Sequence, residues 1–389
     1  MRTQLDTRFT RGAAVFLLAL VLILPGCDLF SDIDSEELQE DLIPETIGVF
    51  VANGGNFSDQ NGSITFYDPR AEQAQPLDNL GAFLHRIALS GDSLYAITNT
   101  FSGGRLEVLD ANTGARVSQV VTEATPRAIG LLDVQTAYLL NADFSGAPGT
   151  VSIYRRLNGE LEEDVMQVGA IPEDLLVVGD KTFVANYGSG GAGTTLTVID
   201  ATTDRVTGTI DVGCDGPNEL LLDGEGELII VCQGKTVFND DFTEVLERTN
   251  GQVVFLDPES ETVVDRIALD QQVGSANGTQ TAYLSPRAQE LFVIDGTDTV
   301  LRFDADQNAQ IGTIAVPATD GLTQLTAVAY DPSEEELYLG RFAAGPDGGA
   351  DFTAAGGVVV LDKEGNVANR FAVGPVPSHI SLQQSFLDL

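Results

Sequence analysis

From Ile47 onward, apolar and polar residues alternate in short runs separated by Gly, Asp and Asn. A period of two is typical of β-strands, because successive side chains point to opposite faces of a sheet. No stretch of this region shows the 3.6-residue period expected of an amphipathic helix. The pattern therefore predicts an all-β domain built from short strands.

One short element recurs along this region: an apolar strand that usually ends in Asp and is followed by a turn. The seven copies end at Asp68, Asp110, Arg155, Asp200, Asp257, Asp304 and Asp362. These residues lie 42, 45, 45, 57, 47 and 58 positions apart. Such a period accommodates four strands with variable loops, which is the repeating unit of a β-propeller.

The strand before this element also repeats, and its clearest copies end in Asn53, Asn141 and Asn186. The full cycle is best preserved between Phe183 and Pro217. There, Phe-Val-Ala-Asn-Tyr is followed by Val-Ile-Asp-Ala and by Val-Thr-Gly-Thr-Ile-Asp-Val-Gly. This cycle resembles the YVTN-type repeat of YncE-like proteins over roughly residues 47–382. The resemblance implies a seven-bladed antiparallel β-propeller.

Closure of the ring follows from counting strands. The first unit lacks its own inner strand, because the domain starts directly at Ile47. The C-terminal region supplies a spare strand at His379-Ile-Ser-Leu382. We predict that this strand pairs with residues 48–53, since ring closure removes exposed sheet edges. Residues 47–389 would then form one propeller.

The N-terminal segment has the composition of a secretory signal. Arg2, Arg8 and Arg11 precede the apolar run 13–24. A basic region, a short apolar region and small residues before a cleavage site are the usual features of such signals. The Leu-Pro-Gly-Cys sequence ending at Cys27 resembles the bacterial lipobox, in which the cysteine becomes the lipidated first residue.

These features predict a signal peptide over residues 1–26 and attachment to a membrane through lipid at Cys27. The alternative is an ordinary cleaved signal with an incidental cysteine. Residues 27–46 are rich in Asp and Glu and lack a strand pattern, so we expect a lipidated acidic tether there. The expected location is the cell envelope, at the outer membrane or cell surface.

The charge balance limits the choice of partner. The 389 residues include 58 Asp plus Glu against 20 Lys plus Arg, and the formal net charge is −38. Such a balance argues against nucleic acid, whose binding depends on clustered cations. Only Lys181, Lys235 and Lys363 are lysines. An acidic, lysine-poor chain suggests a halophilic protein kept soluble in high salt; the alternative is the acidic surface of a secreted protein.

Long loops between the second and third strands point to a binding rim on one face, which we call the top face. They cover residues 54–63, 100–105, 142–150, 187–195, 234–252 and 342–357. Their aromatic residues are Phe57, Phe101, Phe144, Tyr187, Phe238, Phe242, Phe342 and Phe352. Aromatic rings on such a rim suit a flat or bulky ligand. The alternative is that each ring fills the gap between neighbouring blades.

The starts of the inner strands are expected to surround the mouth of the central channel. They supply Ser378, His85, Arg127, Glu173, Asn218, Gln280 and Thr326, followed by His379, Arg86, Asp174 and Glu219. His85 and His379 are the only histidines and fall in neighbouring blades. Two imidazoles can ligate a metal, or a metal held inside a chelate. The alternative is an ordinary polar, hydrated channel mouth.

Other motifs give little support for catalysis. Cys214 and Cys232 are expected to form a disulfide in an oxidising envelope, with two buried thiols or a reactive pair as alternatives. The chain has no CxxCH motif for covalent haem and no G-x-S-x-G elbow. The glycine-rich segment 188–193 leads into a predicted strand, so it lacks the helix that a dinucleotide site requires. We predict no catalytic residue and no resident cofactor.

The resemblance to YncE-like proteins also suggests a function. Some YncE-like lipoproteins stand on the outer-membrane surface and pass cobalamin or a similar chelate to a TonB-dependent transporter. By that resemblance, we expect non-catalytic capture of a ligand on the top face, with the chelate and an outer-membrane transporter as partners. The alternatives are a protein-interaction scaffold or surface-layer component, and a lactonase-like or quinoprotein-like enzyme.

Overall fold

The computed structural model describes residues 45–239, 241–274, 279–285 and 289–385. The predicted signal peptide, Cys27 and nearly all of the acidic tether lie outside these residues. Within them, no helix is long and apolar enough to cross a membrane.

Nearly all of the regular secondary structure in the described chain is β-strand, arranged as seven antiparallel sheets around a ring and one separate two-stranded hairpin. Blade one contains β1 Glu45–Asn53, β2 Ser63–Asp68 and β3 Gln73–Asn79, and blade two contains β4 Phe83–Ser90, β5 Ser93–Thr100, β6 Gly103–Asp110 and β7 Arg116–Thr122. Blade three contains β8 Thr125–Leu131, β9 Thr136–Ala142, β10 Pro148–Arg155 and β11 Glu160–Ala170. Blade four contains β12 Pro172–Val178, β13 Lys181–Asn186, β14 Thr195–Asp200 and β15 Arg205–Asp211.

The remaining blades follow the same order from inner to outer strand. Blade five contains β16 Pro217–Leu222, β17 Leu228–Cys232, β20 Gln252–Asp257 and β21 Thr262–Ala268, and the hairpin β18 Thr236–Phe238 and β19 Val245–Arg248 lies between β17 and β20 in the chain. Blade six contains β22 Ala282–Ser285, β23 Glu290–Asp295, β24 Thr299–Asp304 and β25 Ala309–Ala315. Blade seven contains β26 Leu322–Asp331, β27 Glu336–Ala344, β29 Gly357–Leu361 and β30 Val367–Ala372 with the short β28 Ala350–Asp351, and the last strand is β31 Pro377–Ser385.

The last strand closes the ring, as predicted. β31 pairs with β1 and becomes the innermost strand of blade one, in the order β3, β2, β1, β31. In this register, Val49 lies opposite Leu382 and Val51 opposite Ile380. β1 begins at Glu45, two residues before the predicted start at Ile47. The sequence prediction of a seven-bladed antiparallel propeller is therefore confirmed.

The hydrophobic core is divided into seven clusters, one at each junction between blades. At the junction of blades one and two, for example, Phe50 and Ile64 pack against Leu84 and Leu94, all fully buried. Each buried side chain of this size contributes about 1.5–3 kcal/mol. The ring is stabilised by contacts between sheets, which explains why both faces of the second and third strands are apolar.

The repeated Asn and Asp residues have structural roles. The side-chain amide nitrogens of Asn53, Asn141 and Asn186 donate to Thr65, Ser152 and Thr197 on the third strand, over 3.0, 2.9 and 3.0 Å. The Asp residues that end the third strands accept hydrogen bonds from the backbone of the following turn. Asp110, for instance, accepts from the N–H groups of Asn112 and Thr113. The repeat therefore specifies the fold without specifying a ligand.

Two top-face loops contain structure that the sequence pattern did not predict. The 234–252 loop forms the β18–β19 hairpin, and the 342–357 loop adds β28 to blade seven. The 187–195 loop contains a single 3₁₀ turn, Ser189–Gly191. These elements lengthen the rim on one face of an otherwise regular ring.

Candidate functional site

A cavity of about 700 Å³ opens on the top face of the ring. Its wall includes residues from all seven blades. The starts of inner strands contribute Arg127, Glu173 and Ser378, and the second-to-third loops contribute Phe57 and Tyr187 among others. Cavities of 300–1,000 Å³ are typical of sites for small organic ligands and cofactors.

Aromatic side chains form much of the wall. They are Phe57, Phe83, Phe144, Tyr187, Phe342 and Phe352. The ring centroids of Phe57 and Phe83 are 6.0 Å apart, and those of Phe342 and Phe352 are 5.0 Å apart. Phe57, Phe144 and Phe352 remain 42%, 57% and 53% exposed. Clustered exposed rings are typical of surfaces that contact a partner or ligand.

The polar part of the wall centres on an ion pair between Arg127 and Glu173. Arg127 donates from Nε to Oε2 of Glu173 over 3.1 Å, and its Nη2 donates to the same oxygen. Its Nη1 lies 3.4 Å from Nδ1 of His85. The guanidinium carbon lies 5.3 Å from the ring centroid of Phe144, within the range of a cation–π contact. The charge of Arg127 is therefore compensated locally.

Tyr187 also lines the cavity, close enough to Glu173 to feel its charge, and stays protonated at neutral pH. Burial, with a smaller contribution from the Glu173 carboxylate, raises the pKa of its hydroxyl to about 12. Its ring packs on Gly216, whose φ is 67°. A Cβ at residue 216 would lie 3.1 Å from Cε2 of Tyr187 and 2.9 Å from the Gly234 carbonyl oxygen. Glycine at this position therefore allows the tyrosine ring to line the cavity.

Two other wall residues have a backbone conformation that side chains rarely adopt. Ile171 and Val376 have φ values of 44° and 59°, and each immediately precedes the proline that begins an inner strand. Positive φ is an outlier for a β-branched residue and costs on the order of 1–3 kcal/mol. Both side chains line the cavity and are 8% exposed. Gly216 holds the corresponding position in blade five without strain.

One residue further along the inner strands, charged side chains join blades to each other. Arg86 of blade two forms an ion pair with Oδ1 of Asp174 in blade four. The other carboxylate oxygen of Asp174 accepts a hydrogen bond from the Leu220 N–H of blade five over 3.0 Å. We call Arg86, Asp174, Glu219 and Gln280 the polar girdle.

The other two members of the polar girdle continue the ring. Glu219 accepts from the N–H groups of Thr281 and Ala282 in blade six, over 2.6 and 2.7 Å. Gln280 accepts from the N–H of Ile380 in blade one over 3.0 Å. These bonds join blade five to blade six and blade six to blade one, so the girdle helps to hold the ring together around the channel.

Burial shifts the pKa values of the titratable groups around the channel. It raises the pKa of Glu219 to about 7, against the opposing effect of the Arg86 charge. It lowers the pKa of His379 to about 3, assisted by Arg86. It also lowers the pKa of His85 well below its usual value, assisted by Arg127 and Arg86. Both imidazoles are therefore neutral at pH 7.

The structure brings six of the candidate ligand-binding residues into one cavity: Phe57, Phe144, Tyr187, Arg127, Glu173 and Asn218. Four others lie outside its wall. Phe101 is 72% exposed and packs edge-on against Phe57, with ring centroids 4.9 Å apart. His85 is 1% exposed and lies behind Arg127. Arg86 and His379 follow one position further along the inner strands.

The two histidines lie outside the cavity wall. Neither His85 nor His379 lines the cavity. Over the part of the chain that the structure covers, no group of three or more His, Cys, Asp or Glu side chains is placed to hold a metal ion. A metal chelate in the cavity would therefore contact aromatic rings and the Arg127–Glu173 pair.

Cys214 and Cys232 are joined by a disulfide, with Cα atoms 6.2 Å apart. Both are buried between blades four and five. Cys232 ends β17, and the β18–β19 hairpin starts four residues later at Thr236. The bond therefore fixes the base of the longest top-face loop.

Several residues of the cavity wall were not predicted from the sequence. Phe83 precedes His85 by two positions at the start of β4. Asn99 and Gln233 occupy the position of the repeated Asn, so the repeat in the sequence could have placed both residues in the wall. Ile171 and Val376 were not singled out, and the prolines that follow them were the only local signal.

Comparisons with known proteins identify a family and a fold. A family model described as "Domain of unknown function (DUF5074)" matches residues 47–365. No curated protein matches the chain.

The similar solved structures are propellers of low sequence identity. One is a hypothetical selenium-binding protein from Sulfolobus tokodaii (10% identity, TM-score 0.66, covering 89% of this chain and 95% of that one). Another is a quinonprotein alcohol dehydrogenase-like protein from Bacteroides thetaiotaomicron VPI-5482 (13%, 0.62, 88% and 79%). A third is a putative 6-phosphogluconolactonase from Bacteroides fragilis NCTC 9343 (12%, 0.59, 87% and 98%). At these identities, the likeness shows the fold alone.

Proposed function

The chain belongs to the family described as domain of unknown function DUF5074, and we propose that its propeller captures a small organic ligand in the top-face cavity. The observation that supports this most directly is the convergence of six aromatic side chains on one cavity of about 700 Å³. Leaving several of these rings exposed to water is unfavourable in the free protein. That cost is recovered when a ligand covers them.

The wall also suggests how a ligand would be oriented. Asn218 and Glu173 place polar groups among the aromatic rings, and both are lining residues. The Tyr187 hydroxyl adds a hydrogen-bond donor that stays protonated at neutral pH. A cavity with an apolar wall and a few polar groups is the usual design of a binding site for a small molecule.

The proposal includes a place in the cell. By its resemblance to YncE-like lipoproteins, the chain would be held in the envelope by lipid at Cys27, and its acidity would suit a salty exterior. The ligand would be a cobalamin-like or other chelate that is passed to an outer-membrane transporter. Because no imidazole lines the cavity, aromatic contacts would hold the chelate.

Thermal melting tests the capture proposal. A ligand that binds only the folded state stabilises it by about 2.7 kcal/mol at a concentration of 100 Kd. We expect a corrinoid, another chelate or a small aromatic compound to raise the melting temperature and to quench tyrosine fluorescence through Tyr187. Phe144→Ala should abolish both effects, and Phe242→Ala, outside the wall, should leave them intact. If no compound in the panel stabilises the protein, or if Phe144→Ala changes nothing, the proposal fails.

A protein-interaction scaffold is a second candidate, favoured by the β18–β19 hairpin. Phe242 and Leu246 on this hairpin are 79% and 62% exposed, and Phe238 and Val245 are 44% and 42% exposed. Exposed apolar side chains on a projecting hairpin are typical of a protein contact. Under this alternative, Phe242→Ser with Leu246→Ser would abolish partner binding and leave small-ligand binding unchanged.

A further inference from the structure

The cavity combines aromatic faces with an absence of available positive charge. Arg127 is the one cationic side chain among its described lining residues, and Glu173 and Phe144 already engage it. An anionic ligand would therefore find no uncompensated cation in the wall. The chain as a whole has a net charge of −38, which repels anions and attracts cations over long range.

We propose that the ligand of this cavity is an organic cation bearing an ammonium or quaternary ammonium group, an inference that rests on the capture function proposed above. The face of an aromatic ring attracts a cation within about 6 Å of its centroid, and aromatic cages are a recurrent way of binding quaternary ammonium groups. The placement of Arg127 over Phe144 at 5.3 Å is such a contact within the wall itself. A cationic chelate falls in this class, and an anionic porphyrin does not.

Glu173 strengthens the argument for a cation. Both hydrogen bonds from Arg127 to this carboxylate go to Oε2, so Oε1 is not used by the guanidinium. Glu173 lines the cavity beside Tyr187. A ligand ammonium would then meet a carboxylate oxygen as well as ring faces, and the methyl groups of a quaternary ammonium would pack on the aromatic wall.

The test compares ligands that share a shape and differ in charge. Choline, its neutral isostere 3,3-dimethylbutan-1-ol and the anion 3,3-dimethylbutanoate are titrated calorimetrically into the full chain, together with benzyltrimethylammonium. We expect both cations to bind at least about tenfold more tightly than the neutral isostere, because burial of the cation against several rings adds to the apolar contact. The anion should show no binding.

Variants separate aromatic attraction from simple apolar contact. Phe57→Leu and Phe352→Leu keep an apolar side chain in the wall and remove the ring. Each should weaken choline binding about two- to fivefold and leave the neutral isostere unaffected. Phe242→Leu is the control, because Phe242 lies on the β18–β19 hairpin, is 79% exposed and does not line the cavity. A melting temperature equal to that of the parent protein establishes that each variant is folded.

The outcomes distinguish this inference from the function on which it rests. Equal or tighter binding of the neutral alcohol or the anion overturns the cation assignment and leaves ligand capture standing. Equal losses for choline and the alcohol in the Phe→Leu variants also overturn it. If none of these probes binds and no compound in the thermal panel stabilises the protein, both proposals are wrong.

Discussion

Arg127 and Glu173 connect blades three and four through two guanidinium donors that share one carboxylate oxygen. Their side chains are only 8% and 9% exposed. The pair therefore belongs to the packed inner layer and also lines the cavity. Each partner removes the cost of burying the other's charge, so the pair stabilises the part of the wall that it forms.

Removing one partner of this pair should be strongly destabilising. Arg127→Met or Glu173→Leu leaves a buried charge without its counterpart, which costs about 3–5 kcal/mol. The double variant Arg127→Met/Glu173→Leu should recover most of that loss. Urea denaturation of the four proteins measures the coupling.

The exposed Lys363–Glu335 pair supplies the control, with side chains 62% and 54% exposed. Glu335→Ala should change the free energy of unfolding by no more than about 1 kcal/mol. If the double variant lost as much stability as the two single variants together, the Arg127 and Glu173 side chains would not stabilise the fold as a pair.

Because β31 closes the ring, the melting temperature should depend strongly on this C-terminal strand. Deletion of residues 376–389 removes β31, so β1 loses its inner partner and Ile380 leaves the core between blades seven and one. We expect the melting temperature to fall by about 10 °C or more, since several kcal/mol of packing are lost. A truncated chain that melts like the parent would contradict the closure model.

Glu219 should give the protein a distinctive pH dependence. Burial raises the pKa of its carboxyl from 4.5 to about 7, so between these values the folded state keeps a proton that the unfolded chain has released. Preferential proton binding by the folded state makes stability fall as pH rises through this interval. Glu219→Gln removes that fall.

The measurement is the difference in free energy of unfolding between the Glu219→Gln variant and the parent at pH 5, 6, 7 and 8. The stability of the variant relative to the parent should increase by about 1.4 kcal/mol for each pH unit up to pH 7, and should then stay constant. His85 and His379 titrate in both proteins and cancel in the difference. The altered hydrogen bonds to Thr281 and Ala282 add a constant offset. A difference independent of pH would mean that the carboxyl is ionised throughout.

The disulfide between Cys214 and Cys232 should stabilise the chain through the loop that it closes. The two residues are 18 positions apart, and a loop of this length corresponds to about 3 kcal/mol of lost chain entropy in the unfolded state. Reduction, or Cys214→Ala with Cys232→Ala, should lower the free energy of unfolding by that amount. Guanidinium denaturation with and without dithiothreitol measures it, and the Ala variant should not respond to the reductant.

The sequence was sufficient to predict the architecture for a physical reason. Strand alternation, the repeated turn residue and the repeated Asn are local signals, and in the structure Asp110 and Asn186 make local contacts within their own blades. The pairing of β31 with β1 could be predicted because one strand was missing at the start and one was spare at the end. These inferences needed no knowledge of side-chain positions.

The cavity was harder to predict, because its wall depends on side-chain direction and backbone conformation. Arg127, Glu173 and Asn218 were identified from their position at the strand starts, and they do meet in the wall. His85 has the same position but turns behind Arg127. The positive φ of Val376 had no sequence signal, since Gly or Asn usually marks such a conformation.

The direction of β1 has a practical consequence. β1 runs from Glu45 to Asn53, and the loop after Asn53 brings Phe57 into the cavity wall. Its nine residues span about 30 Å, so Glu45 and its partner Ser385 lie on the face opposite the cavity. Any attachment made through the chain before Glu45, whether to a lipid, a resin or a sensor chip, is joined to that opposite face. Immobilisation through this end of β1 therefore leaves the mouth of the cavity on the face away from the point of attachment.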